Sequence, residues 1–479
     1  MMAEAAPVPR SRFLLRALPS PDRAGPRPDA AAGRSLALAS LGLILYLLLS
    51  DNLLVTWGIP YNVPRGAFPF KIHPGTYCIA LGFVLLLRGN PWRRLGALFR
   101  LSPALTGLAL VTTVIMLYSA AKFGTSGSGF FIDTLLAPAL LGLILLHAPV
   151  ERRPRAFWIA LALTALNALI GIGEAAVGDR LVPYMAGDKP LVEEFFRATA
   201  LGGHPLTNAL RTAVLLFAVL AVPGGLRWAL VPLFAVALLA FGSRAALATS
   251  LTLLSAWGAL SFMRGMVSRN FDLRLALGIP LVALVVPAVV AVVALGLGLG
   301  ERVFREFYWD TSAQSRLLAF HIFHFPTTEE FLWGMGPARI EWALDQLKGS
   351  TTLNDIENFW ILLLLQVGLI PFVFLAGTLL ATLVSLARPG PLPVRLAALV
   401  FLMLASGSNS LATKTQSLAV LVAILIGAAA IAKREVETGA ETPARRTGPG
   451  PAPVLPPASV PRRSGFRLSR RVDSGKEAG

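Results

Sequence analysis

Residues 101–120 read LSPALTGLALVTTVIMLYSA, and residues 157–177 read FWIALALTALNALIGIGEAAV. Each is an apolar run close to the ~20 residues that a helix needs to cross a bilayer core about 30 Å thick. Runs of this kind recur along the 479-residue chain, which is 55% hydrophobic and 14% charged, with a mean hydropathy of +0.66. Backbone groups cannot go unpaired in lipid, and Leu/Ala/Val runs without period-2 alternation do not build a barrel. The sequence therefore predicts an all-α, polytopic membrane protein.

A window of roughly twenty residues gives about twelve spans. Their limits fall near 35–54, 73–88, 101–120, 130–148, 157–177, 205–222, 227–241, 245–262, 276–299, 358–386, 395–411 and 416–432. Arginines mark alternate short loops: Arg93 and Arg94; Arg152, Arg153 and Arg155; Arg264, Arg269 and Arg274; Arg388 and Arg395. Basic loops are retained on the cytoplasmic side. Both termini are then expected to lie inside, in an inner membrane. Residues 1–34 and 433–479 are rich in Pro, Gly, Ala and Arg and too poor in large apolar side chains to fold, so both tails are expected to be disordered around an integral domain at 35–432.

The net charge of +17 sits mostly in these tails and inner loops. Topology and anionic lipid account for it, and nucleic acid is not an expected partner. Pro and Arg interrupt the first thirty residues, which do not read as a cleavable signal peptide. The single cysteine, Cys78, falls within a span, which removes an intrachain disulfide and a Cys-rich metal centre. No Walker loop and no fixed-period repeat is present, so the chain carries no motor for an energy-coupled pump.

With both ends inside, the outer face holds two long loops, near 178–204 and 300–356, and chemistry is expected there. The first ends in Arg197-Ala198-Thr199-Ala200-Leu201-Gly202-Gly203-His204-Pro205-Leu206-Thr207-Asn208. Pro205 suits a first helical turn, which puts His204, Asn208 and Arg211 on one stripe facing the same cavity as Arg197. Gly242-Ser243-Arg244 makes a tight outer turn that holds Arg244 near membrane depth. An unpaired cation is expensive there and calls for a ligand or a partner; snorkelling to lipid phosphate is the bland alternative.

The second loop carries Glu301-Arg302 and Ser315-Arg316, then an apolar segment, residues 317–326, spaced like an interfacial helix and containing His321 and His324. Two histidines without a third ligand make a poor metal site. Gly334-Met335-Gly336 breaks the segment. Before span ten come Asn354-Asp355-Ile356-Glu357-Asn358. Capping of that helix by Asp355 or Asn354 is the structural reading. The functional one makes Glu357, a carboxylate beside a low-dielectric boundary, a general base. Asp355 with Glu357 as a metal-binding pair is a lesser alternative.

In this order, the Arg197-to-Asn208 segment, Gly242-Ser243-Arg244, Ser315-Arg316 with Gly334-Met335-Gly336, and Glu357-Asn358 leading to Gln366-Val367-Gly368-Leu369-Ile370 resemble the O-antigen ligase and O-antigen polymerase superfamily of bacterial membrane glycosyltransferases. The resemblance runs from about residue 35 to 432. It implies a GT-C-like architecture with a large outer loop before span ten, no cofactor, and an undecaprenyl-diphosphate-linked glycan as donor. The acceptor would be a lipid or a second glycan, and a chain-length regulator is a conceivable partner. By position, Arg197, Arg244 and Arg316 would hold the donor diphosphate, with His204, Asn208, Arg211, His321 and Asn358 binding substrate. Ligases commonly carry His-Asn where this chain has Glu357-Asn358, which leans the reading towards a polymerase or a ligase of another acceptor.

Two other classes compete. A transporter or flippase for a lipid-linked or anionic solute would also need basic cavities between helices, although the unusual polar residues here gather at span ends. A cell-wall glycan polymerase of the shape, elongation and division type would also act on a lipid diphosphate.

Overall fold

A computed structural model describes residues 30–63, 66–186, 189–191, 196–222, 224–267, 292, 296, 318–348, 356–408, 411 and 414–441. Proline sets several of the helix starts. It stands in the first turn of α3 (Pro74–Leu87), α4 (Pro91–Leu101), α5 (Pro103–Phe123), α7 (Pro154–Val177) and α8 (Pro205–Ala218), where its fixed φ suits the helix and its missing N–H is not needed. The other helices are α1 (Ala30–Leu48), α2 (Asp51–Thr56), α6 (Ser128–His147), α9 (Leu226–Ala240) and α10 (Arg244–Val267), followed by α11 (Thr328–Trp333), α12 (Gly336–Lys348), α13 (Phe359–Val367), α14 (Leu369–Ala387), α15 (Leu392–Ser406) and α16 (Ser417–Glu441). The only strands among the described residues form a two-residue antiparallel pair, Met185–Ala186 with Lys189–Pro190.

Within Ala31–Leu48, α5, α6, α7, α14 and Ser417–Arg434, six segments are long and apolar enough to cross a membrane; α3, α8, α9 and α15 are shorter apolar helices. Small residues let the backbones close. The Cβ that Gly42 lacks would lie 2.6 Å from the Gly75 carbonyl oxygen, and that of Gly82 3.0 Å from the Ser35 carbonyl oxygen, so α1 and α3 pack antiparallel along a glycine seam. Around this pair α6, α7, α8, α13, α15 and α16 contribute the fully buried Leu, Ala, Val and Phe side chains of one continuous core. Residues 435–479 cluster as a separate unit, of which 435–441 at the end of α16 are described.

Three sequence expectations change. The first span, expected to reach residue 54, stops at Leu48, and Ser50 caps α2 by accepting from Leu53 N–H at 3.3 Å. Span ten, expected as one helix over 358–386, is two. Gly368 at φ +86° ends α13, and the freed Leu365 carbonyl accepts the Met335 N–H at 2.8 Å. There is no room for side chains at this crossing, because a Cβ on Gly368 would fall 2.3 Å from the Gly334 nitrogen and one on Gly334 2.5 Å from the Gln366 carbonyl oxygen. Third, the apolar segment before Pro326 is a short 3₁₀ turn, Ala319–His324. Span nine (276–299), apart from Val292 and Gly296, and Glu301, Arg302, Ser315, Arg316, Asn354 and Asp355 lie outside the described residues.

Candidate functional site

The first long loop is fastened from below. Glu174, near the end of α7, accepts the N–H groups of Leu181, Thr199 and Ala200 at 2.8, 2.9 and 2.8 Å. One turn pair earlier, Asn167 accepts from Leu201 and Gly202 at 2.9 and 3.1 Å. Asn208 is fully buried, and its amide is spent on the Thr199 carbonyl at 2.5 Å and on Asn167 at 3.2 Å. Its part in the site is therefore to hold the loop. These bonds force Ala200 to φ +40° and fix the segment that carries Arg197 and His204.

Arg197 meets the Arg244 turn directly. Ala198 N–H donates to the Ala240 carbonyl at 3.1 Å, and the Arg197 stem runs over Gly242, whose missing Cβ would sit 3.1 Å from it. Gly242 adopts φ +63°, which lets the chain reverse between α9 and α10 and start α10 at Arg244. Both arginines are half-buried. Arg180 forks onto the Arg197 carbonyl at 3.2 and 3.1 Å and lies over the rings of Tyr184 and Phe196.

His204 caps α8, its Nδ1 accepting the Leu206 N–H at 3.2 Å. The neutral ring then carries its proton on Nε2. Burial, with the Arg197 charge adding to it, lowers the pKa to about 4, so His204 is an uncharged donor at neutral pH.

Arg211 is 5% exposed. Its Nη2 donates to Gln416 Oε1 at 3.3 Å, while Nε has no partner among the described residues. Gln416 Nε2 donates to the Tyr61 hydroxyl at 3.3 Å, and Tyr61 donates to Asp133 at 2.8 Å. Asp133 also accepts the Thr76 hydroxyl at 2.6 Å and the His73 N–H at 3.1 Å. It occupies a turn, Phe131–Leu136, wound as a π-helix, a rare feature that often marks functional sites. Lys414 closes the network with bonds to the Tyr61 and Lys71 carbonyls at 2.8 and 3.0 Å, and its ammonium lies 4.7 Å from the Tyr61 ring centre. Burial lowers its pKa to about 8, against the opposing attraction of Asp133.

Glu357 and Asn358 join the same end of the bundle. Asn358 caps α13, accepting from Trp360 and Ile361 N–H at 3.0 and 3.1 Å, and Phe359 N–H donates to the Ser408 carbonyl at 2.9 Å. Ser408, just past α15, thus meets the Glu357 corner, as Gln416, just before α16, meets Arg211. Glu357 is half-buried. His321 is exposed, with its ring 5.8 Å from that of His324, and no contact among the described residues brings it to the arginines.

Sequence reading singled out Arg197, Arg211, Arg244, His204 and Glu357, which share one end of the bundle, and missed Asp133, Tyr61, Lys414 and Gln416. A signal existed for Asp133, a lone acid inside an apolar run. No group of three or more metal-ligating side chains occurs among the described residues. No protein-family model matches the chain, and no curated protein matches it.

Proposed function

We propose that this chain is an extracytoplasmic-face glycosyltransferase of a bacterial inner membrane, with about twelve spans in a GT-C-like arrangement. It would move or polymerise glycan from an undecaprenyl-diphosphate-linked donor in O-antigen, capsule or exopolysaccharide synthesis. The observation that carries this reading is the meeting of Arg197 with the turn that presents Arg244. Two sequence-distant guanidinium groups at one helix end suit a diphosphate, because guanidinium binds phosphate oxygens in forks and stays charged without a metal. Arg316 would join them from the second loop.

In the proposed reaction Glu357 takes the proton of an acceptor hydroxyl as that oxygen bonds to the anomeric carbon. The bond from that carbon to the diphosphate oxygen breaks, and undecaprenyl diphosphate departs with the electron pair. The configuration inverts. Charge grows on the leaving oxygens, where the arginines are worth most. Asn358, which fixes the start of α13, would orient Glu357, and His204 would donate from Nε2 to a neutral sugar or phosphate oxygen.

The buried Asp133, which shares Tyr61 with Lys414 as a bonding partner, favours a second reading, a transporter or flippase of lipid-linked or anionic solute, since intramembrane ionisable residues often mark transport paths. Surface-glycan and lipid-linked-intermediate analysis in a deletion strain, complemented with wild type, Arg244→Ala or Glu357→Gln, separates the two. Single repeat units, or lipid-linked glycan left undelivered outside, support the glycosyltransferase, as polymerase or ligase respectively. Lipid-linked glycan trapped on the inner leaflet would replace it with the flippase, and unchanged glycans with correctly inserted variants would overturn both.

A further inference from the structure

Helix α4 is an amphipathic helix between two apolar ones, and its outward face is left without a protein partner among the described residues. It joins α3 to α5, so its 11 residues, about 16 Å of helix, lie at the level where both neighbours leave the hydrocarbon. Asn90 starts it by accepting the Arg93 N–H at 3.0 Å. Arg94 pins it to the end of α3 by donating to the Leu86 carbonyl at 2.5 Å, and Leu98 is buried where the helix rests on α5 and α6.

The rest of the helix points away. Trp92 and Phe99, seven residues apart and so on one stripe, are 83% and 55% exposed. Arg93 and Arg100, also seven apart, are exposed on the adjoining stripe, with no ion-pair partner among the described residues. From Arg88 to Pro103 the chain holds four arginines and no acid. A free Trp 83% exposed to water is costly, and aromatic side chains beside arginine suit the zone where acyl chains meet phosphates.

We propose that α4 is a recognition element for anionic phospholipid of the bilayer on which it lies. Trp92 and Phe99 enter the headgroup boundary, and Arg93 and Arg100 pair with lipid phosphates. The site sits at the ends of α3 and α5 opposite the arginine cluster and is independent of the glycosyltransferase reading.

The test is hydrogen exchange at residues 92–101 of the full chain in phosphatidylcholine nanodiscs with and without phosphatidylglycerol. Phosphatidylglycerol should slow exchange by about tenfold or more, in line with two surface arginines each contributing to binding. That effect should vanish in Arg93→Gln/Arg100→Gln and weaken with added salt. Equal exchange in the two lipids for the wild-type chain would overturn the anionic preference without recourse to any variant. Trp92→Ala/Phe99→Ala should raise exchange in both lipids, and unchanged exchange there would overturn insertion.

Discussion

Tyr61 donates its hydroxyl to Asp133 at 2.8 Å while accepting the Gln416 amide at 3.3 Å. Since Gln416 also accepts from Arg211, every donor in the series points one way, from guanidinium to carboxylate. Chains polarised in one direction strengthen each member, and a carboxylate in a buried site needs all of its donors. Asp133→Asn, which turns one acceptor oxygen into a donor facing donors, should lower stability by about 3 kcal/mol. Denaturation in detergent would measure it. A loss below about 1 kcal/mol would mean that the carboxylate does not organise this end of the bundle.

Gly334 and Gly368 should tolerate no side chain. Each has a positive φ, and each Cβ would strike the opposite backbone, which has no flexible end to give. Gly368→Ala should cost at least about 2 kcal/mol from backbone conformation and overpacking together. Gly377→Ala, a glycine of α14 with nothing within 4 Å of its Cβ position, is the control and should be near neutral or mildly stabilising in the same thermal-shift assay.

Arg211→Lys keeps the charge but loses the planar fork that reaches Gln416, and Lys has no Nε donor in the place of the guanidinium's. Under the proposed function, glycan transfer should fall roughly ten- to a hundredfold. Arg244→Ala should fall further, by about a hundredfold or more, if Arg244 meets developing phosphate charge. Turnover of lipid-linked donor in reconstituted vesicles reads both. A larger loss in Arg211→Lys than in Arg244→Ala would reverse their assigned weights.

Lys414 sets a pH dependence. Its folded pKa of about 8 lies below the usual lysine value, so between about 8 and 10.5 the unfolded chain binds the extra proton. Stability should therefore rise with pH across that window by relief of the buried charge, and the cost is fully present below about 8. Lys414→Met should flatten this rise in detergent unfolding measured from pH 7 to 10, and an equally steep slope in the variant would assign it elsewhere. His204, with a pKa of about 4, should contribute no titration between pH 6 and 8, so His204→Gln should leave any activity profile there unshifted.

The helical class and several helix starts were legible because proline and apolar runs are local signals. Pro74, Pro103, Pro154 and Pro205 each stand where an apolar helix begins. The division of span ten was not legible, since one glycine in an apolar run reads as tolerated until its φ is known. The same holds for Asn208: its spacing from His204 is helical, as expected, but its amide serves the Thr199 carbonyl, a partner fixed by the loop's path. Arg197 and Arg244 could be singled out as candidates because cations at span ends are costly wherever the chain goes. Lys414 and Tyr61 were missed because they meet only through a fold that brings residues 353 positions apart into contact.

The widened turn at Phe131–Leu136 changes how this span must be counted. A π turn takes in one residue more than an α turn, so every side chain after Leu136 is displaced by about 100° from where a regular helix would put it. A helical wheel drawn from Ser128 straight to His147 would assign lipid-facing and core-facing positions in the second half of α6 to the wrong sides. A related chain lacking this turn would match the first half of the span or the second, but not both without a one-residue gap beside the acid.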